Sequence, residues 1–427
     1  MFDTLKEKIN TKSCIIGVLG LGRVGLPLAC AFASNNVKVV GIDVNSSRTD
    51  LIDKGICPFH DPPLQESLKI LFNSGYLSTV GSLMDCKEMP DIIFVTVGTP
   101  NSNDNSVDYS QLYSALEDIG NLDLKNKMII MRSTLPPQTT EDIVIPFLQQ
   151  KTGLKAGFDF GLVVCPERIL EGHAVKELKE LPEIIGGINQ ESNDIVTNVF
   201  KIINPNKEFS YCSMTGAELA KLFTNIYRYI SFALSNEFGI WAEKYGQDAT
   251  ELIKASNYNY PRSNIPIPGF VGGPCLSKDG TFLDNNTTFS SIVSAAWKLN
   301  ESIPQHIINN IKKMTDNLVN KKVAILGISF KAGSDDKRNS PSVKLEENLR
   351  GLGAKLLVHD PYVKNTMTLE QVLESPDIVI IATNHKEFVN ISEKINMSGC
   401  KIIYDVWGMF DEKYFPGKHY AKLGKDF

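Results

Sequence analysis

Three glycines with the spacing Gly-x-Gly-x-x-Gly place the strongest constraint on what this chain can fold into. Gly20, Gly22 and Gly25 follow a short apolar run and precede a helical pattern at residues 26–34. In a strand–turn–helix unit, the first glycine permits the tight bend, the second lets the backbone approach a pyrophosphate, and the third lets helix and strand pack closely. The helix N-terminus then offers free N–H groups to the phosphates. The motif, with Arg23 and Val24 inside it, therefore predicts a dinucleotide-binding turn.

An acidic residue further along supports this interpretation. Asp43 ends the next apolar run, 18 residues after Gly25, where a carboxylate can hold the hydroxyls of the adenosine ribose. The carboxylate would repel a 2′-phosphate, so NAD is the expected cofactor. Arg48 follows closely and keeps NADP open as an alternative cofactor. A glycine turn of no functional meaning is the other alternative.

The rest of the chain alternates between strand-like and helix-like segments, which predicts βαβ units and a parallel sheet. In the first part the strand-like runs are residues 14–20, 37–43, 91–98, 127–134 and 160–167, with helical patterns at 26–34 and 111–121. The alternation returns after residue 320, with strand-like runs at 322–330, 355–360, 377–383 and 401–406 and a helix at 342–352.

Two long helical patterns separate these regions. The first covers residues 215–245, and Thr215 and Glu218 have the spacing of a capping box at its start. The second covers residues 290–318, where Pro304 predicts a kink or a break. We therefore expect an α/β fold with three regions. These are an N-terminal Rossmann-like doubly wound domain (1–212), a central long-helix region suited to dimerisation (213–318) and a smaller C-terminal Rossmann-like domain (319–427).

Composition narrows the possible functions. A net charge of −5 without any lysine- and arginine-rich block argues against nucleic-acid binding. The apolar runs are strand-sized, far short of the ~20 residues that span a bilayer, and the first residues contain no apolar leader. We expect a cytoplasmic protein without a membrane partner. The eight cysteines are at least 16 residues apart and the six histidines are scattered, so no metal site is expected.

Cys275 is the cysteine whose surroundings least resemble a core. It follows a segment in which Pro268, Gly269, Gly272, Gly273 and Pro274 exclude helix and strand, and glycines permit a substrate to approach closely. Lys278 and Asp279 come directly after it. A nearby cation can lower a thiol pKa and a carboxylate can act as a base, so Cys275 is either a nucleophile or a structural cysteine in a glycine-rich loop.

Other polar residues occupy positions typical of sites. Lys221 and Asn225 share a helix face that Arg228 continues, which indicates either a solvated stripe or buried groups with partners. Strands of doubly wound sheets bind ligands at their carboxyl ends. Thr99, Thr134 and Glu167 each lie at such an end, although ordinary turn chemistry explains the two threonines equally well.

These motifs, in this order and spacing, resemble those of the UDP-sugar 6-dehydrogenases over nearly the whole length. The matching segments are GLGRVGLPLA, VGTP, RSTLPP, CPERILEG, GAELAKLFTNIYR, GFVGGPCLSKD, SFKAGSDDKRNSP and DVWG. The resemblance implies an NAD domain, central dimerisation helices and a C-terminal domain that holds the UDP. It also implies a four-electron oxidation of the sugar C6, with two NAD consumed per sugar.

The resemblance also implies residue roles. Lys221, Asp279 and a water would manage the alcohol proton, and Cys275 would add to the aldehyde and carry a thiohemiacetal and then a thioester. Glu167 would assist hydrolysis, Asn225 and Lys221 would polarise the oxygen, and Thr134 would position water and cofactor. The implied cofactor-binding residues are Gly20, Gly22, Arg23, Val24, Gly25, Asp43, Arg48, Thr99, Thr134, Lys278 and Arg338. The implied substrate-binding residues are Glu167, Arg168, Lys221, Asn225, Arg228, Arg262, Asn264, Gly272, Phe330 and Lys331.

Two segments bear on the choice of sugar. Glucose-specific members of this family tend to carry Asn-Pro-Glu-Phe where this chain has Cys165-Pro-Glu-Arg168, and Arg262 lies in a stretch similar to that of the N-acetylhexosamine branch. Pro274, where that branch often has His, and Ser277-Lys278, which is closer to the glucose branch, point the other way. We expect UDP-N-acetylmannosamine, then UDP-N-acetylglucosamine, with UDP-glucose as the alternative.

Two rival functions need different residues. A two-electron dehydrogenase of a small hydroxy acid would share the glycine turn and a helix lysine but has no use for Cys275 or a second sheet domain. A non-catalytic NAD-sensing scaffold would be expected to lack some of the chemical residues, yet Lys221, Asn225, Glu167, Cys275 and Asp279 are all present.

Overall fold

The computed structural model describes residues 2–101, 106–284 and 292–425. The chain divides into two compact units: the first comprises residues 1–224 and 281–283, and the second residues 225–280 and 284–427. The division at residues 212 and 318 that the sequence suggests stays a prediction.

The first unit is built on an eight-stranded sheet. Its elements, up to the long helix, are α1 (Asp3–Asn10), β1 (Ile15–Leu19), α2 (Gly25–Ala33), β2 (Lys38–Ile42), α3 (Ser46–Ile52), α4 (Pro62–Leu71), β3 (Leu77–Val80), β4 (Ile92–Val95), α5 (Ser110–Gly120), β5 (Met128–Met131), α6 (Ile145–Thr152), β6 (Gly161–Val164), α7 (Ala174–Glu180), β7 (Glu183–Gly187), α8 (Gln190–Lys201) and β8 (Phe209–Tyr211). The strand order is β3-β2-β1-β4-β5-β6-β7-β8.

Most neighbours in this sheet are parallel, which confirms the doubly wound α/β prediction. β6 and β7 are antiparallel, because the segment between them does not cross back over the sheet before the chain re-enters it. Buried apolar side chains fill both faces, with Val18, Phe94 and Phe200 on one face and Val95, Leu116 and Leu162 on the other. A strand buried on both faces is a continuous apolar run, so the sequence located β1, β2, β4, β5 and β6 well.

Long helices follow the first sheet. The elements are α9 (Met214–Lys244), α10 (Ala249–Asn257), α11 (Leu276–Asp279), α12 (Thr281–Asp284) and α13 (Ile292–Met314). Of the two alternatives at Pro304, a break is wrong, because the helix continues through it, and a kink stays a prediction. Buried Ile303, Ile307 and Ile308 beside it gain packing that offsets the lost hydrogen bond. The predicted start of this helix, at residue 290, lies outside the described residues.

The second unit contains a five-stranded parallel sheet of order β10-β9-β11-β12-β13. Its elements are β9 (Lys322–Leu326), α14 (Pro341–Gly351), β10 (Lys355–His359), α15 (Leu369–Val372), β11 (Ile378–Ile381), α16 (Ser392–Met397), β12 (Ile402–Asp405) and β13 (His419–Lys422). Short segments of 3₁₀- or π-helix occur in the two units at Leu83–Asp85, Thr140–Val144, Lys386–Phe388 and Glu412–Tyr414.

The two sheets begin in the same way, as the repeated alternation in the sequence suggested. In each sheet, the glycine that follows the first strand donates its N–H to the last carbonyl of the neighbouring strand. The residue after this glycine donates its N–H to the side chain of the aspartate that follows the neighbouring strand. The pairs are Gly20 to Ile42 (2.8 Å) and Leu21 to Asp43 (2.8 Å) in the first unit, and Gly327 to His359 (2.7 Å) and Ile328 to Asp360 (2.8 Å) in the second.

Candidate active site

The glycine turn of the first unit has the geometry that the motif predicts. Gly20 adopts φ +94°, and a Cβ placed on Gly25 would lie 1.9 Å from the carbonyl oxygen of Gly20. Only glycine fits at position 25, because the start of α2 packs directly against the turn. Around Gly22 there is open space for a Cβ, as expected where a ligand approaches the backbone. Val24 precedes the first residue of α2.

Asp43 is held rigidly at the end of β2. It is buried, and its carboxylate accepts hydrogen bonds from the N–H of Leu21 (2.8 Å) and of Asn45 (2.9 Å). The guanidinium of Arg48 donates to Asp43 Oδ2 at 2.6 Å. The two residues that bear on the choice between NAD and NADP are therefore an ion pair.

Arg23 binds Glu171, a residue that the sequence motifs did not identify as part of a site. Its guanidinium lies 4.7 Å from the ring centroid of Phe59 and forms an ion pair with Glu171. Glu171 is the second glutamate of the segment that contains Glu167, four residues later. This glutamate and Arg23 link that segment to the dinucleotide turn within the first unit.

The structure brings together the two predicted threonines. Thr99 is buried, and its hydroxyl donates to the carbonyl oxygen of Thr134 at 2.7 Å. The adjacent Ser133 donates to the carbonyl of Val97 at 2.7 Å. The loops after β4 and β5 are thus joined where the sheet ends.

Glu167 belongs to a buried network of charges. Its Oε2 accepts from Nε of Arg132 at 2.9 Å, and its Oε1 accepts from the N–H groups of Arg168 (2.6 Å) and Ile169 (2.8 Å). Both oxygens are thus bonded, so Glu167 can act as a base only if one of these contacts is released. The guanidinium of Arg168 donates to the carbonyl of Pro182.

Arg132, which is 1% exposed, also binds a second glutamate. Its NH1 lies 2.5 Å from Oε2 of Glu183, whose Oε1 lies 3.1 Å from the ammonium of Lys207. Burial by itself would raise the pKa of Glu183, but Arg132 and Lys207 outweigh it and hold that pKa below its ordinary value. Burial and Glu183 raise the pKa of the Cys165 thiol, which disfavours the thiolate there.

The predicted capping box at the start of α9 is wrong. The helix begins at Met214, and Ser213 Oγ accepts from the N–H of Gly216 at 3.0 Å. Glu218 instead accepts from the N–H (3.0 Å) and the hydroxyl (2.6 Å) of Thr140. Glu218 binds Thr140 rather than capping its own helix, because this buried carboxylate lies against the start of another helical segment, whose N–H groups need an acceptor. Burial raises the pKa of Glu218 to about 7. Lys221, one turn later, is half-buried.

The second unit brings Asn225, Lys278 and Asp279 together. Asn225 Nδ2 donates to Asp279 Oδ2 at 2.6 Å, and the ammonium of Lys278 lies 3.0 Å from Asp279 Oδ1. Asp279 is fully buried. Cys275 is an exposed residue immediately before α11, and its carbonyl accepts from the N–H of Asp279 at 3.0 Å. The thiol-bearing residue and the buried carboxylate are therefore fixed to one helical turn.

The remaining predicted site residues lie in the second unit. Of the substrate residues, Arg228, Arg262 and Asn264 are exposed, and the Arg262 guanidinium lies 4.7 Å from the ring centroid of Tyr260. The Lys331 ammonium lies 5.8 Å from the ring centroid of Phe330, and a Cβ on Gly272 would lie 2.4 Å from the carbonyl oxygen of Asn339. Arg338, a predicted cofactor residue, is bound by Asp336 through Nε (3.0 Å) and NH2 (2.6 Å).

Two classes of site find no support in the residues that the structure describes. None of their helices is both long enough and apolar enough to cross a membrane. Across these same residues, no group of three or more His, Cys, Asp or Glu side chains could hold a metal ion.

Three family models match the chain in sequence. They describe the NAD binding, central and UDP binding domains of the UDP-glucose/GDP-mannose dehydrogenase family and match residues 14–204, 215–302 and 324–412.

Individual relatives match over most of their length. The UDP-N-acetyl-D-mannosamine dehydrogenase of Pyrococcus horikoshii is 34% identical over 399 residues, which cover 91% of this chain and 94% of the relative. The enzyme of that name from Campylobacter jejuni is 32% identical, with 90% and 98% covered. The solved structure of the UDP-D-ManNAc dehydrogenase from Pyrococcus horikoshii superimposes with a TM-score of 0.90 at 32% identity, covering 96% of this chain and 99% of that one.

Proposed function

This chain belongs to the UDP-glucose/GDP-mannose dehydrogenase family, and we propose that its substrate is UDP-N-acetyl-D-mannosamine, oxidised at C6 to the uronic acid. It is an NAD-dependent nucleotide-sugar dehydrogenase. The sugar rests on the relatives, whose names specify UDP-N-acetyl-D-mannosamine. UDP-N-acetylglucosamine and UDP-glucose are the alternatives.

The residues of the first unit fit NAD. The backbone is open at Gly22, the turn is tight at Gly25, and Asp43 presents a fixed carboxylate where the ribose hydroxyls bind. In the first unit, Gly20, Arg23, Val24, Arg48, Thr99 and Thr134 would complete the cofactor site. The family resemblance also assigns cofactor binding to Lys278 and Arg338 of the second unit. Bound NAD would supply the oxidant, with a capacity of one hydride per molecule, so that the four-electron oxidation of C6 would need two molecules per sugar.

One observation carries the chemistry: an exposed Cys275 and a fully buried Asp279, which is held by Asn225 and Lys278, lie on one helical turn. Asp279, with Lys221 and a water, takes the proton of the sugar alcohol. The Cys275 sulfur then adds to the aldehyde carbon, so that the second oxidation gives a thioester. Lys221 and Asn225 polarise the carbonyl oxygen, and a water assisted by Glu167 releases the carboxylate and restores the thiol.

Each unit contains residues that the family resemblance assigns to substrate binding. In the first unit these are Glu167, Arg168 and Lys221, and in the second unit they are Asn225, Arg228, Gly272, Phe330 and Lys331. Arg262 and Asn264 lie on an exposed loop after α10, which Asn257 fixes by accepting from the N–H of Ile265 at 3.0 Å. In the proposed arrangement this loop reaches the site of a second copy.

One face of α9 supports the proposal of a homodimer. Tyr227, Leu234 and Trp241 repeat at intervals of seven residues, which places them on one side of the helix. Their exposures are 71%, 45% and 50%. An apolar stripe of this length on a 31-residue helix suits a second copy of the same helix. We place the enzyme in the cytoplasm, where its thiols stay reduced.

The test is the NADH formed at completion from limiting UDP-N-acetylmannosamine, UDP-N-acetylglucosamine, UDP-N-acetylgalactosamine and UDP-glucose, each assayed separately. We expect two NADH per sugar with UDP-N-acetylmannosamine. One NADH per sugar would exclude the Cys275 route. Turnover with UDP-glucose alone would keep the chemistry and change the substrate.

A further inference from the structure

A loop of the second unit, residues 327–340, joins β9 to α14 and contains the predicted substrate residues Phe330 and Lys331. We name it the β9–α14 loop. It folds back on itself, because the N–H of Phe330 donates to the carbonyl of Asp336 at 2.9 Å and Ser329 Oγ donates to the carbonyl of Lys331 at 3.0 Å. It lies inside the stretch that matches the UDP binding domain.

The β9–α14 loop packs directly against the segment that contains Cys275. The N–H of Gly273 donates to the carbonyl of Asn339 at 3.0 Å, and a Cβ on Gly273 would lie 2.6 Å from the Phe330 ring. Asn339 Nδ2 also donates to Ser277 Oγ at 3.2 Å. Gly273 and Ser277, on either side of Cys275, both bond to this loop. A shift of the loop is therefore expected to move Cys275.

His385, which is fully buried, is bonded to the middle of the same loop. Its Nδ1 accepts from the N–H of Gly333 at 3.1 Å. A nitrogen that accepts a hydrogen bond carries no proton, so in this arrangement the proton that faces Asp360 is the one on Nε2. Nε2 lies 3.1 Å from Asp360 Oδ2 and 3.1 Å from Ser329 Oγ, and it donates to the carboxylate.

Asp360 is a fixed anchor for this histidine. Its Oδ2 also accepts from the N–H groups of Ile328 (2.8 Å) and Ser329 (3.0 Å), and its Oδ1 accepts from those of Tyr362 (2.9 Å) and Val363 (3.1 Å). Burial alone would raise the pKa of Asp360, but the contacts with His385 and the backbone N–H groups outweigh it, and the pKa lies well below its usual range. Asp360 is thus a carboxylate at neutral pH.

We propose that His385 is a positioning residue that ties the β9–α14 loop to Asp360 and so sets both the binding of the uridine diphosphate and the place of Cys275. His385 touches neither group; it acts through Gly333 and Ser329. The identity of the nucleotide rests on the proposed function. The effect on Cys275 rests only on the packing of the loop against Gly273 and Ser277.

The experiment compares three substitutions of His385 in the full chain. His385→Phe removes both hydrogen bonds at similar volume, His385→Asn keeps an acceptor in the place of Nδ1, and His385→Gln keeps a donor in the place of Nε2. The matched control is His359→Asn, because His359 is half-buried on β10 and bonds the carbonyl of Met367 at 2.7 Å, outside the loop.

Two readouts separate positioning from general damage. Calorimetry gives the dissociation constant of UDP for each variant. Iodoacetamide alkylation, followed by mass spectrometry of peptides, gives the rate at Cys275 relative to the exposed Cys212 of the first unit. NAD binding and the melting temperature are measured on the same samples.

We expect His385→Phe to weaken UDP binding about tenfold or more and to change the relative alkylation of Cys275 by about threefold or more. NAD binding changes less than UDP binding, because most of the proposed cofactor residues lie in the first unit, outside the β9–α14 loop. His385→Asn and His385→Gln give smaller effects than His385→Phe, and His359→Asn gives none. If His385→Phe does not fold, the Asn and Gln variants carry the test.

The proposal is overturned if folded His385 variants keep both the UDP affinity and the Cys275 rate of the wild type, or if His359→Asn causes the same losses. A wild type that does not bind UDP would instead contradict the proposed function. The alkylation rates would then decide by themselves whether His385 positions Cys275.

Discussion

Asn225 on α9 donates a hydrogen bond of 2.6 Å to Asp279, a fully buried carboxylate 54 residues later on the helical turn that follows Cys275. The other carboxylate oxygen faces Lys278 at 3.0 Å. A buried carboxylate needs donors on both oxygens, since an unsatisfied one costs about 1–3 kcal/mol or more. Asn225 therefore holds the candidate base in place next to the candidate nucleophile.

Replacing Asn225 with alanine leaves Asp279 Oδ2 without this donor. We expect kcat to fall about tenfold to a hundredfold, with a smaller change in KM, because the charge and position of Asp279 matter most in the transition state. Steady-state kinetics of Asn225→Ala measure this. Asn310→Ala, at another buried asparagine that donates to Glu243 at 3.1 Å, is the control for lost stability. Equal kcat losses in both variants would contradict a specific role for Asn225.

Cys275→Ser separates the two oxidations. Without the thiol no thioester forms, so we expect at most one NADH per sugar and turnover slower by about a thousandfold or more. The measurement is the amount of NADH formed by a known amount of enzyme and limiting substrate. Cys212→Ser removes another exposed cysteine and should still yield two NADH. Normal turnover of Cys275→Ser would support a two-electron dehydrogenase instead.

The pair Asp43 and Arg48 makes the choice of cofactor testable. In Asp43→Ala the ribose hydroxyls lose their acceptor, and Arg48 loses the carboxylate that binds it at 2.6 Å. We expect KM for NAD to rise about tenfold to a hundredfold and activity with NADP to appear, because Arg48 can then pair with the 2′-phosphate. Kinetics with both cofactors test this. The NADP activity should vanish in Asp43→Ala/Arg48→Ala; if it persists, Arg48 is not its source.

Glu218 should make stability depend on pH. Burial raises its folded pKa to about 7, above its ordinary value of 4.5. Between these values the folded chain holds a proton that the unfolded chain releases, so this stabilisation is present at low pH and is lost as pH rises through the window. The total is about 3 kcal/mol.

The corresponding measurement is the melting temperature of wild type and Glu218→Gln from pH 4.5 to 8. The difference, wild type minus variant, should fall as pH rises, because glutamine does not titrate. Glu66→Gln is the control, since Glu66 is an exposed glutamate on α4 whose ion pair is with Lys69, at 2.7 Å. A difference that does not vary with pH would contradict the raised pKa.

A charge on the exposed face of α9 should prevent association. We expect wild type to sediment as a dimer at micromolar concentration and Trp241→Glu as a monomer, because the carboxylate would be buried against the partner helix. Tyr414→Glu, at an aromatic residue of similar exposure on the 3₁₀ segment Glu412–Tyr414 rather than on α9, should remain dimeric. A wild-type monomer would contradict the dimer proposal.

The elements that sequence reasoning located are those with a continuous apolar signal. β1, β2, β4 and β9 are buried strands, and their positions were predicted to within a few residues. β3 and β8 are partly exposed, and β7 contains Glu183 and two glycines. None of these three segments has the alternating or continuous apolar pattern that predicts a strand. Each becomes a strand through pairing with a neighbouring strand, which a local sequence pattern does not show.

By itself, the sequence determined the dinucleotide turn, the two α/β regions with long helices between them, and the candidates Cys275, Asn225 and Asp279. These depend on local spacing, which any fold of the chain must respect. Only the tertiary structure decided that Glu218 binds Thr140, that Arg132 donates a hydrogen bond to Glu167 and that His385 joins Asp360 to Gly333. Their partners are distant along the chain, and the cost of burying a polar group is met by whichever donor or acceptor the fold brings within reach.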